Sequence, residues 1–175
     1  MQWSQIRKQL TARLAPSLTR RMDFHVARYR GAHDELGRAW ITFDGEEVVS
    51  LSDHQFEGEY YPLASEIRRL NKTDDYSSAE SKSKYYAAYD TARAVTAAKG
   101  NFARWDFTLA ARQFLSLSID DALVAQDPLV RGLAVLDRRI GRSRLRKIAA
   151  IRSENPVVLK LLELRCAAEG VPTGI

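Results

Sequence analysis

The chain holds three histidines, His25, His33 and His54, and two of them stand beside a carboxylate: His33 next to Asp34, and His54 next to Asp53. Imidazole beside carboxylate is the chemistry of general acid–base catalysis and of oriented metal ligands. Arg28, Tyr29, Arg30, Arg38 and Trp40 lie close by in sequence. Together they define a candidate hydrolase or nuclease site on a hairpin region, with His25, His33, Asp34, Arg30 and Arg38 as its catalytic candidates. The competing reading is a polar strand face and a structured turn in which Asp34 caps backbone N–H groups. No His-x-His or His-x₃-His spacing is present, so no metal site is expected.

A second chemical bias is stronger. From Arg131 to Arg152 there are eight basic residues against one acid, Asp137. Arginine forks suit phosphate oxygens, so Arg138, Arg139, Arg142, Arg144, Arg146 and Lys147 are candidate nucleic-acid contacts. A charge run is more often a solvated face, or one paired within the molecule. From Asp44 to Glu80 the balance reverses, with ten acids and three bases. Two helices meeting at Gly141 resemble a helix-turn-helix, but Asp137 stands where a small residue belongs and Lys147 where a buried aliphatic does. The segment also lacks an aromatic on which a base could stack.

The remaining motifs are weaker. The glycine-rich phosphate loops, Gly-x-Ser-x-Gly and His-Glu-x-x-His are absent, and no cofactor is expected. Asp44-Gly45-Glu46-Glu47 resembles the acidic strand of metal-dependent nucleases, without the lysine that should follow. An Asp-Gly hairpin turn explains the same residues. Tyr85, Tyr86 and Tyr89 read as core and rim aromatics, with a ligand box as the alternative. Cys166 reads as a small buried residue.

Composition sets the class. With 175 residues, 45% apolar and 28% charged, the chain suits one folded domain with a net charge of +5. A single cysteine excludes an internal disulfide and fits a reducing compartment. No apolar run is long enough for a membrane span, and the N-terminus lacks a signal-peptide core. The expectation is a cytoplasmic protein with no membrane partner.

Hydrophobic spacing supplies the elements. Trp3, Ile6, Leu10 and Leu14 predict an amphipathic helix over 3–14 that docks on the core. Residues 22–30, 39–43 and 46–52 alternate as strands, and Asp44-Gly45 joins the last two, giving a three-stranded antiparallel meander over 22–52. Pro62 predicts a short helix to Leu70, with Leu63, Ile67 and Leu70 inward. Residues 78–98 predict a helix with Tyr85, Tyr89, Ala92 and Val95 on one stripe. Another helix is expected from about Ala103, and Ser118 with Asp121 predicts a capping box. Asp127-Pro128 and Asn155-Pro156 predict two further helix starts. Gly141 and Gly170 are expected as left-handed stops, and a short helix with Leu145 and Ile148 inward falls between. The predicted class is α+β: a small meander near the N-terminus, an N-terminal helix, and a mostly helical C-terminal half.

Three stretches carry a resemblance: MQWSQIRKQL, FHVARYRGAHDELGRAWITFDGEEVV and DPLVRGLAVLDRRIGRSRLRKI. The chain resembles a family of small bacterial cytosolic proteins with no assigned activity, and the likeness implies no catalytic residue. The preferred functional expectation is a non-catalytic protein-binding or accessory protein, such as an inhibitor or immunity factor. A nucleic-acid-associated protein using the basic 131–152 face and a small hydrolase or nuclease are the alternatives.

Overall fold

The computed structural model describes residues 2–31, 36–73, 76–149 and 155–172. His33, Asp34 and Arg152 lie outside the described residues. The first helix, α1 (Trp3–Arg13), buries Ile6 and Leu10 along the predicted stripe. Three strands follow: β1 (Met22–Arg28), β2 (Gly37–Phe43) and β3 (Glu46–Ser52), ordered β1-β2-β3 and antiparallel throughout. Asp44 at φ 52° and Gly45 at φ 85° form the tight turn that the Asp-Gly pair predicts. One face of the sheet turns Met22, Phe24, Ala39, Ile41, Val49 and Leu51 into the core.

Eight helices are seen among the described residues, and α1 is joined by α2 (Asp53–Asn71), α3 (Ala79–Ala98), α4 (Arg104–Ser116), α5 (Ile119–Leu123), α6 (Pro128–Val135), α7 (Arg142–Ala149) and α8 (Pro156–Glu169). Helices α1 and α4 lie against the inner sheet face, with α6 packed on α4 and α8 on α6. Trp3 and Phe24 both meet Phe107 of α4, at 5.8 and 6.4 Å between ring centres. The class is therefore α+β, as the residue pattern predicts.

Three local expectations need correction. Pro62 does not start α2; it lies inside that helix, which begins nine residues earlier, where Ser52 accepts from the Gln55 N–H. Leu70 is exposed rather than inward, and Leu63 and Ile67 are half-buried, because Phe56 and Ala64 carry the buried stripe instead. On α3 the buried positions are Ala88, Ala92 and Thr96, so Val95 points outward.

The third correction concerns Gly141. Helix α6 stops at Val135 and Leu136, well before that glycine, whose φ is not positive. The chain leaves the helix because residues 136–138 pair with the end of α1: the Ala15 N–H donates to Leu136 O and the Arg138 N–H to Arg13 O. Gly170 does close α8 in the left-handed region, at φ 61°.

Gly37 shows how tightly the sheet meets α4. A Cβ there would lie 2.2 Å from Ala27 O and 2.9 Å from the Arg104 side chain. Gly37→Ala is expected to cost about 3 kcal/mol by overpacking, read as a lowered urea midpoint at unchanged slope.

Asp127 caps α6 by accepting from the Leu129 N–H at 2.8 Å. Burial raises its carboxyl above the ordinary aspartate range, against backbone hydrogen bonds that lower it. A raised folded value means that this group's contribution is fully present at low pH and is lost as pH rises through the folded pKa. Asp127→Asn keeps an acceptor and removes the desolvated charge, so its melting temperature should match or exceed the parent's at neutral pH. Asp127→Ala should lose about 1 kcal/mol.

Candidate functional site

The outer face of the sheet gathers the hairpin candidates into rows. The register sets His25 opposite Trp40, Asp23 opposite Thr42, and Ala27 opposite Arg38. The His25 imidazole stacks on the Trp40 indole, with centres 4.9 Å apart and planes within 11°. The Arg38 guanidinium lies 4.6 Å from the centre of the same indole and pairs with Glu47. The polar face predicted for this strand pair is thus organised around Trp40. Arg30 is exposed beyond the end of β1.

His25 Nε2 lies 3.1 Å from Thr42 Oγ1 and 3.9 Å from Asp23 Oδ2. A nucleophile–base–orienter set uses the two ring nitrogens for two different partners, whereas here one nitrogen faces both. Asp23 is also held by the Arg7 fork and by the Phe24 N–H. Its carboxyl sits below the ordinary range, chiefly through the Arg7 hydrogen bonds. Its charge is committed to structure.

His54 and Asp53 separate. Asp53 is fully buried at the start of α2 and accepts from Gly37 N, Arg104 N and Arg104 Nε, while His54 is exposed. Sequence adjacency therefore produced no imidazole–carboxylate pair here. Among the described residues, no three of His, Cys, Asp and Glu cluster closely enough to hold a metal.

The basic segment divides in two. Arg139 forks onto buried Asp137, Arg142 donates to Glu169 O at 2.6 Å, and Arg144 pairs with Asp120. Arg131 donates to the carbonyls of Ala125 and Gln126. These arginines fasten α6, α7 and α8 to their surroundings. Arg138, Arg146 and Lys147 are exposed and make no ion pair among the described residues. Six of the ten carboxylates from Asp44 to Glu80 pair with cations outside 131–152: Asp44 with Arg21, Glu47 with Arg38, Asp53 with Arg104, Glu59 with Lys99, Glu66 with Arg69 and Glu80 with Lys84.

A third site had only a partial signal in the sequence. Six of the seven tyrosines gather on the hairpin of α2 and α3. Their rings form a continuous series: Tyr61 on Tyr60 at 5.0 Å, Tyr60 on Tyr89 at 5.8 Å, Tyr89 on Tyr85 at 5.4 Å, and Tyr85 on Tyr76 and Tyr86 at 5.2 and 5.6 Å. Small residues at Ala64, Ala88 and Ala92 are buried in the hairpin, outside the main core. Tyr61, Tyr76 and Tyr86 remain about half exposed, at 52, 45 and 54%. Hydroxyl contacts join Tyr76 to Tyr86 and Tyr85 to Tyr89, and they raise the phenol pKa values of Tyr86 and Tyr89. The Arg68 guanidinium lies over Tyr85 and Tyr89, and Lys82 over Tyr76. The resulting groove is about 870 Å³.

Residues 2–166 match the SF0329 protein family. The chain belongs to that family. No curated protein and no solved structure matches it. The SF0329 match takes in the outer sheet face, the tyrosine hairpin and the basic segment alike, so all three lie within the family's extent.

Cys166 lies apart from these three surfaces. It is buried in α8, and burial raises its thiol above the ordinary value, which suits a packed side chain rather than a nucleophile. Among the described residues no helix is long and apolar enough to cross a membrane.

Proposed function

We propose that this SF0329 chain is a non-catalytic binding protein, of bacterial cytosolic type, that docks another protein on the tyrosine face of the α2–α3 hairpin. An inhibitor or immunity role fits this reading. The observation that carries it is the unbroken series of six tyrosine rings, three of them half exposed. Tyrosine gives a large, rigid contact area with only two side-chain torsions to freeze, and its hydroxyl can meet a partner's polar groups. It is enriched among the residues that dominate interface energies. The His25 geometry lends no matching support to hydrolysis, because Asp23 and Thr42 compete for one nitrogen.

A photo-reactive phenylalanine analogue placed at Tyr86, and separately at exposed Val124, tests this in cells of the source organism. The reading expects a discrete protein adduct from position 86 and none of that mass from position 124. Equal adducts from both positions, or none from position 86, would remove the tyrosine face as the docking site.

A further inference from the structure

A trough of about 900 Å³ separates the exposed side of α1 from the outer face of the sheet. Its α1 wall carries Arg7 and Lys8, the turn after α1 contributes Arg20 and Arg21, and the sheet wall carries the stacked His25–Trp40 pair. Four cations therefore surround one lining acid, Asp23. Two of these cations are already committed, Arg7 to Asp23 and Arg21 to Asp44. Lys8 and Arg20 make no ion pair among the described residues.

Arg20 carries a second signal. Its backbone sits at φ 67°, in the left-handed region, within a turn fixed by hydrogen bonds from Leu18, Thr19 and Met22 back to Ala15 and Leu18. A side chain there costs on the order of 1 kcal/mol or more. Glycine would hold the same turn without that strain. The position instead keeps a guanidinium beside a trough that has spare positive charge and an aromatic wall.

We infer that this trough binds a phosphate-linked nucleobase, either as a free mononucleotide or as one unit of a single strand. Lys8 and Arg20 meet the phosphate, and the unpaired base extends the stack from the His25 side, because Arg38 already covers the other face of Trp40. An acidic peptide would satisfy the cations but leave the stacked rings without a role. A duplex would meet the cations while hiding its base faces. Stacking together with phosphate contact is the combination that single strands use. The volume also falls within the range of about 300–1,000 Å³ for ligand clefts. This site is separate from the tyrosine face and does not depend on it.

The test is fluorescence anisotropy with fluorescein-labelled dT12 and rU12, and with a labelled 12-base-pair duplex, over a range of salt. Binding to the single strands is expected to weaken at least tenfold in Lys8→Glu/Arg20→Glu. The slope of log affinity against log salt should shrink by about 0.7, from one phosphate no longer neutralised. Trp40→Leu should weaken binding at least fivefold. Arg20→Gly guards against misfolding: it should melt higher than the parent and still bind more weakly. Competition by unlabelled AMP would assign the site to mononucleotides, and its absence would assign it to strands. The inference is overturned if no single-strand probe binds at low salt or if the duplex binds as tightly as the strands. It also falls if an acidic peptide such as poly-glutamate displaces dT12 with Trp40→Leu without effect. Loss of binding in Arg138→Glu/Arg146→Glu/Lys147→Glu, with Lys8→Glu/Arg20→Glu unaffected, would move the contact to the other basic face.

Discussion

Asp53→Ala is expected to lower the unfolding free energy by about 4 kcal/mol. Asp53 is wholly buried where β3 passes into α2. One oxygen accepts from Arg104 N at 2.6 Å; the other accepts from Gly37 N and Arg104 Nε, both at 2.9 Å. A single carboxylate therefore ties the start of β2, the start of α2 and the start of α4. Removing it strands two backbone donors and leaves Arg104, only 9% exposed, without its counter-charge. Against a typical total of about 5–15 kcal/mol, this is a large fraction. A melting temperature lower by about 10 °C is expected for a domain of this size. Asp53→Asn keeps one acceptor oxygen but sets an amide donor against donors, and should fall between the two. A urea midpoint for Asp53→Ala within error of the parent would show that the three elements are held by something else.

Arg165→Ala is expected to have an effect of similar size, about 3–5 kcal/mol. Arg165 lies in α8 and is 2% exposed. Its guanidinium donates to Leu136 O at 3.1 Å and to Ile140 O at 3.0 Å, and pairs with Glu169 at 2.8 Å. Those carbonyls belong to the segment that leaves the helical path after α6; Leu136 O also accepts from the Ala15 N–H, so Arg165 is its second donor. Burial lowers the pKa of Arg165, with Glu169 pulling the other way. Arg165→Met restores volume without the donors, so it should recover only part of the loss. Arg146→Ala and Lys147→Ala, on exposed positions, should stay within about 0.5 kcal/mol of the parent. Chemical denaturation of the four variants side by side checks the contrast. An Arg165→Ala cost as small as that of Arg146→Ala would refute the proposed joint.

These two side chains mark where the sequence was readable and where it was not. Helix starts at Asp127-Pro128 and Asn155-Pro156, the Asp44-Gly45 turn and the period-two strands rest on interactions between near neighbours. All of them appear where the residues put them. Pro62 misplaces the start of α2 because β3 runs into the helix without a loop, and the local signal, Ser52 with Gln55 three residues on, begins inside the residues that read as strand. Gly141 is not the stop of α6 because a long-range bridge between Leu14 and Asp137 ends that helix early. Asp137 read as the lone acid in a basic surface. It is buried and anchors Arg139, which turns part of the strongest charge signal into architecture. At the candidate sites, alternation placed His25 on the polar strand face, but its stack on Trp40 depends on cross-strand register. The tyrosine face had a legible trace: six of the chain's seven tyrosines fall between Tyr60 and Tyr89. Their convergence required the pairing of α2 with α3, which no local spacing encodes.

The docking reading rests on that convergence, and affinity measures it most directly. The protein joined to position 86 by cross-linking would be purified and titrated calorimetrically with the parent chain and with Tyr61→Ser/Tyr86→Ser. Both tyrosines are about half exposed, so the double variant should keep the parent's melting temperature to within a few degrees. With two interface anchors worth about 2 kcal/mol or more each, the predicted loss is at least a hundredfold in Kd. A double variant that binds within twofold of the parent would contradict the tyrosine face as the site of docking.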